Sequence, residues 1–299
     1  MSWIYFTIFA ALMQSVRTAG QKQLSTSLSA ISTTWARYGF GVPFALFYLW
    51  LIFRFDPISV PQFSNLFLLF CSLSAMAQLL ATLLLVQLLS LRNFAVGTTY
   101  IKTEALIAAV MGVIFFGASI SAQAWVAIGV GLSGIILVSM KNSNLDVFKL
   151  MSHKEALLGL AAGVLFALAS LWIRAASIEL DSQPIHGAAI ILVISMTIQL
   201  LFCSLLVHWQ DSDNWSKLLT NYRAVIFIGL TGILGSIGWF TAFAYQDAAI
   251  VKMLGQIEFV FTLIITFWFF KEKIRRLEWL GMLFVVSSVF ILLSVSAGI

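Results

Sequence analysis

Charge is the scarcest resource in this sequence: only 10% of its 299 residues are Asp, Glu, Lys or Arg, where soluble domains carry roughly 25%. Hydrophobic residues make up 61%, and the mean hydropathy is +1.00. That balance excludes a water-soluble fold, which cannot hide so much apolar surface. Cysteine is nearly absent, with Cys71 and Cys203 each inside an apolar run, so neither a disulfide framework nor a thiolate metal site is expected. There is no HExxH helix, no paired-aspartate motif and no glycine-rich phosphate loop. The absence of these motifs argues against a metal centre, a cofactor and a nucleotide-driven pump.

What is present is apolar runs of helical length. A span of about 20 residues crosses a hydrocarbon core roughly 30 Å thick. Windows of this kind cover 3–20, 31–53, 65–89, 94–116 and 122–140 in the first half, then 156–176, 185–207, 224–245, 248–270 and 277–295 in the second. The expected fold is an all-α polytopic membrane protein with ten transmembrane helices and no soluble domain. Continuous apolarity excludes a transmembrane barrel, whose strands alternate apolar and polar over about ten residues. The first run has no Lys or Arg ahead of it and no small-residue cleavage pattern after it, so it is expected to be retained.

The chain divides near its midpoint at the polar connection 141–155, KNSNLDVFKLMSHKE, leaving repeats over 1–140 and 156–299. Without gaps, 94–125 aligns with 248–279 at a constant offset of 154, matching Glu104 with Glu258 and Trp125 with Trp279. Arg17 matches Arg174 at an offset of 157. Five spans per repeat would send the second repeat into the membrane from the opposite side, the inverted pair of many secondary transporters.

The end of each repeat reads TEALIAAVMGVIFFGASISAQAWVAIGVGLSGIILV and IEFVFTLIITFWFFKEKIRRLEWLGMLFVVSSVFILL. An acidic residue, an apolar helix, a turn and a glycine-punctuated last helix in this order resemble the drug/metabolite transporter superfamily, in its ten-helix form of two EamA-like repeats. The resemblance spans essentially the whole chain. It departs at Ala105 and Phe259, where proline is usual, and at Ala118, where the turn carries an acid that Glu272 supplies in the second repeat. The resemblance implies transport of a metabolite, amino acid or drug-like solute by alternating access through a central cavity, most often as export from bacteria.

An ionisable group at bilayer depth costs about 2.5–3.5 kcal/mol even on the lenient insertion scale, so those that persist mark function or pair with one another. Arg37, Lys102, Glu104, Arg174, Lys252 and Glu258 lie within spans, with Arg17 near the end of the first. Arg17, Arg174 and Lys252 are expected to reach the interface by snorkelling. Glu104 and Glu258 are too short for that and sit about ten residues into their spans. Two roles stay open for them: proton coupling, or a fixed ion pair with Arg37, Lys102 or Arg17. Lys102 and Glu104, two apart, point about 200° away from each other around a helix and should answer to different neighbours. Lys252 and Gln256, four apart, should share a face. So should Tyr100 and Glu104, and Trp239 with Gln246 on the eighth span. Because the neutral Gln256 matches Lys102, Glu258 is expected to be the carboxylate less opposed by charge. The candidate substrate-binding or coupling set is therefore Glu104, Glu258, Lys102, Gln256, Tyr100, Trp239, Gln246 and Arg37, with the third, fourth, eighth and ninth spans lining the cavity.

Lys and Arg crowd the connections after the odd-numbered spans, whereas the opposite connections hold only Arg54. The positive-inside rule then puts both termini outside the cytoplasm, in a plasma membrane expected to be the bacterial inner membrane. This also accounts for the net charge of +5 without a nucleic-acid partner. The partners implied are a small solute and the lipid bilayer. Two other classes fare worse. An intramembrane serine protease would need Ser236 in a GxSG turn, but the order is Leu234-Gly235-Ser236-Ile237. A channel would need a filter loop or a charged ring, and neither is present.

Overall fold

A computed structural model describes residues 2–91, 101–102, 104–116, 121–139, 154–210, 214–271 and 276–297. Tyr100, Ala118, Glu272 and most of the 141–155 connection lie outside the described residues. All regular structure among the described residues is helical: α1 (Ser2–Leu24), α2 (Ala30–Gly39), α3 (Gly41–Phe55), α4 (Asn65–Leu91), α5 (Glu104–Phe116), α6 (Ala122–Ser139), α7 (Lys154–Leu180), α8 (Pro184–Gln210), α9 (Asn214–Thr220), α10 (Tyr222–Tyr245), α11 (Ala248–Leu254), α12 (Glu258–Trp268) and α13 (Arg276–Ala297). Serine side chains open three of them. Ser29, Ser64 and Ser121 accept from the backbone N–H groups of Ser32, Phe67 and Ala124, satisfying donors that have no partner inside the helix. Pro184 begins α8, where a missing N–H costs nothing.

Six stretches are long and apolar enough to cross a bilayer: Ala30–Phe55, Asn65–Leu91, Leu157–Leu180, Pro184–Gln210, Tyr222–Tyr245 and Ala248–Trp268. Glu104–Phe115 and Ala122–Gly134 are shorter apolar helices. Two of the six are interrupted, which apolarity alone does not reveal. The first breaks at Phe40, because Pro43 has no N–H to give the carbonyl of Gly39 and its ring crowds that carbonyl. The second winds into a 3₁₀ turn at Gly255–Ile257 and resumes as α-helix at Glu258. In the fourth apolar run, Lys102 lies in a turn and α5 begins at Glu104. The two matched glutamates thus each occupy the first turn of a helix, where the macrodipole favours negative charge.

Packing between the halves is reciprocal. The first helix of the first half, α1, lies against α10, and the first helix of the second half, α7, lies against α4. The last helices, α6 and α13, pack on each other, and α11 packs on α5. Each half thus completes the core of the other. The α1/α10 crossing is close: a methyl at Gly238 would lie 2.8 Å from both Phe6 O and Ala10 Cβ. Gly238→Ala is therefore expected to force the helices apart and destabilise the chain by about 1–3 kcal/mol. Gly129 in α6 has no neighbour within 4 Å of such a methyl, so Gly129→Ala should be neutral or slightly stabilising. Thermal melts of both variants in one detergent check the contrast; equal effects would sink it.

Candidate functional site

Six buried charges meet in the interior. Arg17, Arg37, Lys102, Lys252, Glu104 and Glu258 are all at least nine-tenths buried. Lys102 Nζ donates to Glu258 Oε2 at 2.5 Å. Lys252 Nζ donates to Glu104 Oε2 at 3.1 Å. Each glutamate is paired with the lysine of the opposite half, 156 and 148 residues away in the chain. The two lysines are not repeat equivalents: Lys102 stands two residues before Glu104, and Lys252 six before Glu258. The pairing is crossed, while its sequence spacing is not symmetric.

A neutral bridge joins the two pairs. Glu258 Oε2 also accepts from Gln14 Nε2 at 2.8 Å, and Gln14 Oε1 accepts from Trp239 Nε1 at 2.8 Å. The Trp239 ring lies 4.8 Å from Lys252 Nζ, with Phe243 at 5.7 Å and Phe166 at 5.9 Å. These faces hold an ammonium by cation–π attraction, which reaches about 2 kcal/mol when desolvated. These aromatic faces enclose the protein's own lysine. Gly255 leaves the space that the Trp239 ring fills. Ser15 Oγ donates to the carbonyl of Glu258, fixing the backbone at the helix start.

Several sequence expectations change. Lys102 and Glu104 do answer to different neighbours. Glu258, however, is not the less opposed carboxylate, because Lys102 reaches across to it from the other half. Arg37 pairs with neither glutamate; it donates to Thr82 Oγ1 and Ser236 Oγ, both at 3.1 Å. Arg17 and Lys252 do not snorkel, being 1% and 7% exposed. Arg174 comes nearer the expectation, with a partly exposed side chain that donates to the carbonyls of Phe243 and Ala244 at the end of α10 and lies 3.5 Å from Asp247. Lys252 and Gln256 take different neighbours on either side of the step into the 3₁₀ turn, Lys252 reaching Glu104. Gln256 lies against Gly131 in α6. Gln246 caps the end of α10 in extended backbone, where its Oε1 accepts from the Asp247 N–H.

Sequence reasoning missed α1. Its Gln14, Arg17, Thr18 and Gln21 recur at the 3.6-residue period, a polar stripe inside an apolar run that points inward. A cavity of about 710 Å³ lies away from the lysine–glutamate pairs, between α1, α10 and α12, with Val16, Gly20, Gln23, Asn221, Arg223 and Phe227 on its wall. None of the described candidate residues lines it. Ser236 accepts from Arg37, while His186 Nε2 sits 2.7 Å from the carbonyl of Asp56. Their separate partners give no serine–histidine pair.

The model of the EamA-like transporter family matches residues 1–140 and 153–294, as two repeats. No curated protein matches. Of the 26 solved chains that match, one crystal structure has a TM-score of 0.72, with 97% of this chain and 96% of that one covered at 11% identity. At that identity the likeness speaks for the fold alone.

Proposed function

This chain belongs to the EamA-like transporter family, and from that premise we propose that it is a secondary active carrier of a small solute, probing both sides of the membrane by alternating access. It is a multi-pass membrane transporter. The finer reading is a ten-helix carrier in which α1, α13 and the two shorter apolar helices complete the set. Its two five-helix repeats are inverted, and it exports its solute from the cytoplasm. The Lys/Arg asymmetry puts both ends outside the cell, which accessible tags on the two ends and a protected 141–155 connection would check.

The observation that carries the mechanism is the crossed pairing of Lys102 with Glu258 and Lys252 with Glu104. Each pair bridges the two halves at the start of a helix that interrupts a span, the kind of backbone break on which carriers build midplane sites. Two buried ion pairs hold the halves together only while both partners are ionised and in register. A proton delivered to either glutamate removes the attraction and frees its lysine. The halves then rock against each other, and loss of the proton on the far side restores the latch. The charged seam is thus both clasp and coupling device.

Flux in proteoliposomes tests this reading. Wild-type chain, loaded in turn with metabolite pools, should accumulate or expel at least one solute faster with an imposed pH gradient than without it. Transport indifferent to the gradient would remove proton coupling, and no transport across the pools would remove the carrier reading.

A further inference from the structure

Among the described residues, the interior carries more positive than negative charge. Four buried cations face two buried carboxylates, and the lysines take both carboxylates. Arg17 and Arg37 remain without a carboxylate of their own among the described residues. Arg37 gives its two terminal nitrogens only to hydroxyls, and its Nε has no hydrogen-bond partner. Arg17 Nε has none either, and both amide atoms of Gln21, one turn further along α1, are equally unpartnered. The two arginines are neighbours. A methyl at Gly232 would lie 3.1 Å from Arg37 Cγ and 3.4 Å from Arg17 Cδ, so both stems run past this glycine. The charged groups acting on Arg17 are Arg37, which repels it, and Glu258, already held by Lys102 and Gln14.

Two like charges at this depth repel each other in a low dielectric and forfeit hydration that hydroxyls do not replace. Such an arrangement persists where an anion completes it. The guanidinium fork donates two parallel N–H groups and matches the oxygens of a carboxylate or phosphate. We propose that Arg17 and Arg37 recognise the oxyanion group of the solute this protein carries, so that the substrate class is an organic carboxylate or a phosphate compound. The inference rests on the carrier reading above. It assigns the arginines to the solute and leaves the lysine–glutamate pairs to the latch. Glu258 links the two systems, acting on Arg17 through its charge and bonded to Lys102, so an arriving anion that engages Arg17 alters the balance on the latch itself.

The test uses the full chain in nanodiscs and in proteoliposomes, with inorganic phosphate, succinate, choline and glycerol as probes. Phosphate or succinate should raise the melting temperature of wild type, and the same anion should exchange in counterflow; which of the two acts separates phosphate from carboxylate recognition. Arg17→Gln and Arg37→Gln should each lose the shift and the exchange. Without ligand they should melt at or above wild type, because each removes an uncompensated buried charge; a purely structural arginine would lower the melting temperature instead. Arg37→Lys keeps the charge but not the fork and should bind about tenfold more weakly. Equal shifts in wild type and both glutamine variants would overturn the inference, as would silence from both anions. If choline or glycerol is carried in that case, transport survives without anion recognition. Arginine-dependent binding with no exchange of any probe would uphold the recognition and overturn the carrier reading.

Discussion

Replacing Lys102 by methionine is expected to destabilise the chain by about 3–5 kcal/mol, the usual effect of stranding one member of a buried ion pair. Glu258 would keep Gln14 as a donor but lose its cation. Adding Glu258→Gln should restore most of the loss, since a neutral pair of similar shape is often as stable as the ion pair it replaces. The rescue should follow the crossed pairing. Glu104→Gln, matched by the repeat and two residues from Lys102, should not rescue Lys102→Met, and instead should add the damage of stranding Lys252. Denaturation of the single and double variants in one detergent system gives the coupling energies. A rescue by Glu104→Gln equal to that by Glu258→Gln would show that the lysines do not discriminate between the glutamates.

The second large effect separates stability from function. The doubly neutral variant Lys102→Met/Glu258→Gln should melt near wild type yet lose most of its response to a pH gradient, by about tenfold or more, equivalent to about 1.4 kcal/mol of coupling. Nothing remains at that position for a proton to release. Lys252→Met/Glu104→Gln should do the same through the second latch, with a smaller loss of stability on removal of Glu104 alone, because Trp239, Phe243 and Phe166 still hold the Lys252 ammonium. The measurement is gradient-driven flux beside counterflow in the same liposomes. Wild-type pH dependence in both neutral variants would remove the latches from the coupling step. Loss of counterflow together with pH dependence would make them parts of the solute path instead.

The arginine proposal changes how these variants are read. With the latches neutral, Arg17 and Arg37 would still bind an anion, so solute affinity should survive where coupling does not. Phosphate or succinate stabilisation that vanishes on neutralising Lys102 and Glu258 would mean that the clasp and the recognition site cannot be treated as separate parts.

Composition alone determined the solvent of this protein, since no arrangement of 61% hydrophobic residues could place them all away from water. Run lengths located the apolar helices, and the offset of 154 singled out Glu104 and Glu258 as a matched pair. These are local or self-similar features, legible because helix period and repeat are written along one chain. Tertiary structure decided the rest. Helical periodicity correctly turned Lys102 away from Glu104 but could not say where it turned, because Glu258 lies 156 residues away. Gln14 carries no charge to draw attention, and gains its place by bridging Glu258 to Trp239. The 3₁₀ turn at Gly255–Ile257, which sets Gln256 against Gly131, is a break that residue counting along an ideal helix does not contain. Arg17 looks from sequence like an interfacial residue near a helix end; only the closure of α10 over α1 takes it out of reach of water. Partners across a bundle are chosen by how helices pack, and a single sequence records each helix's faces without recording which face meets which.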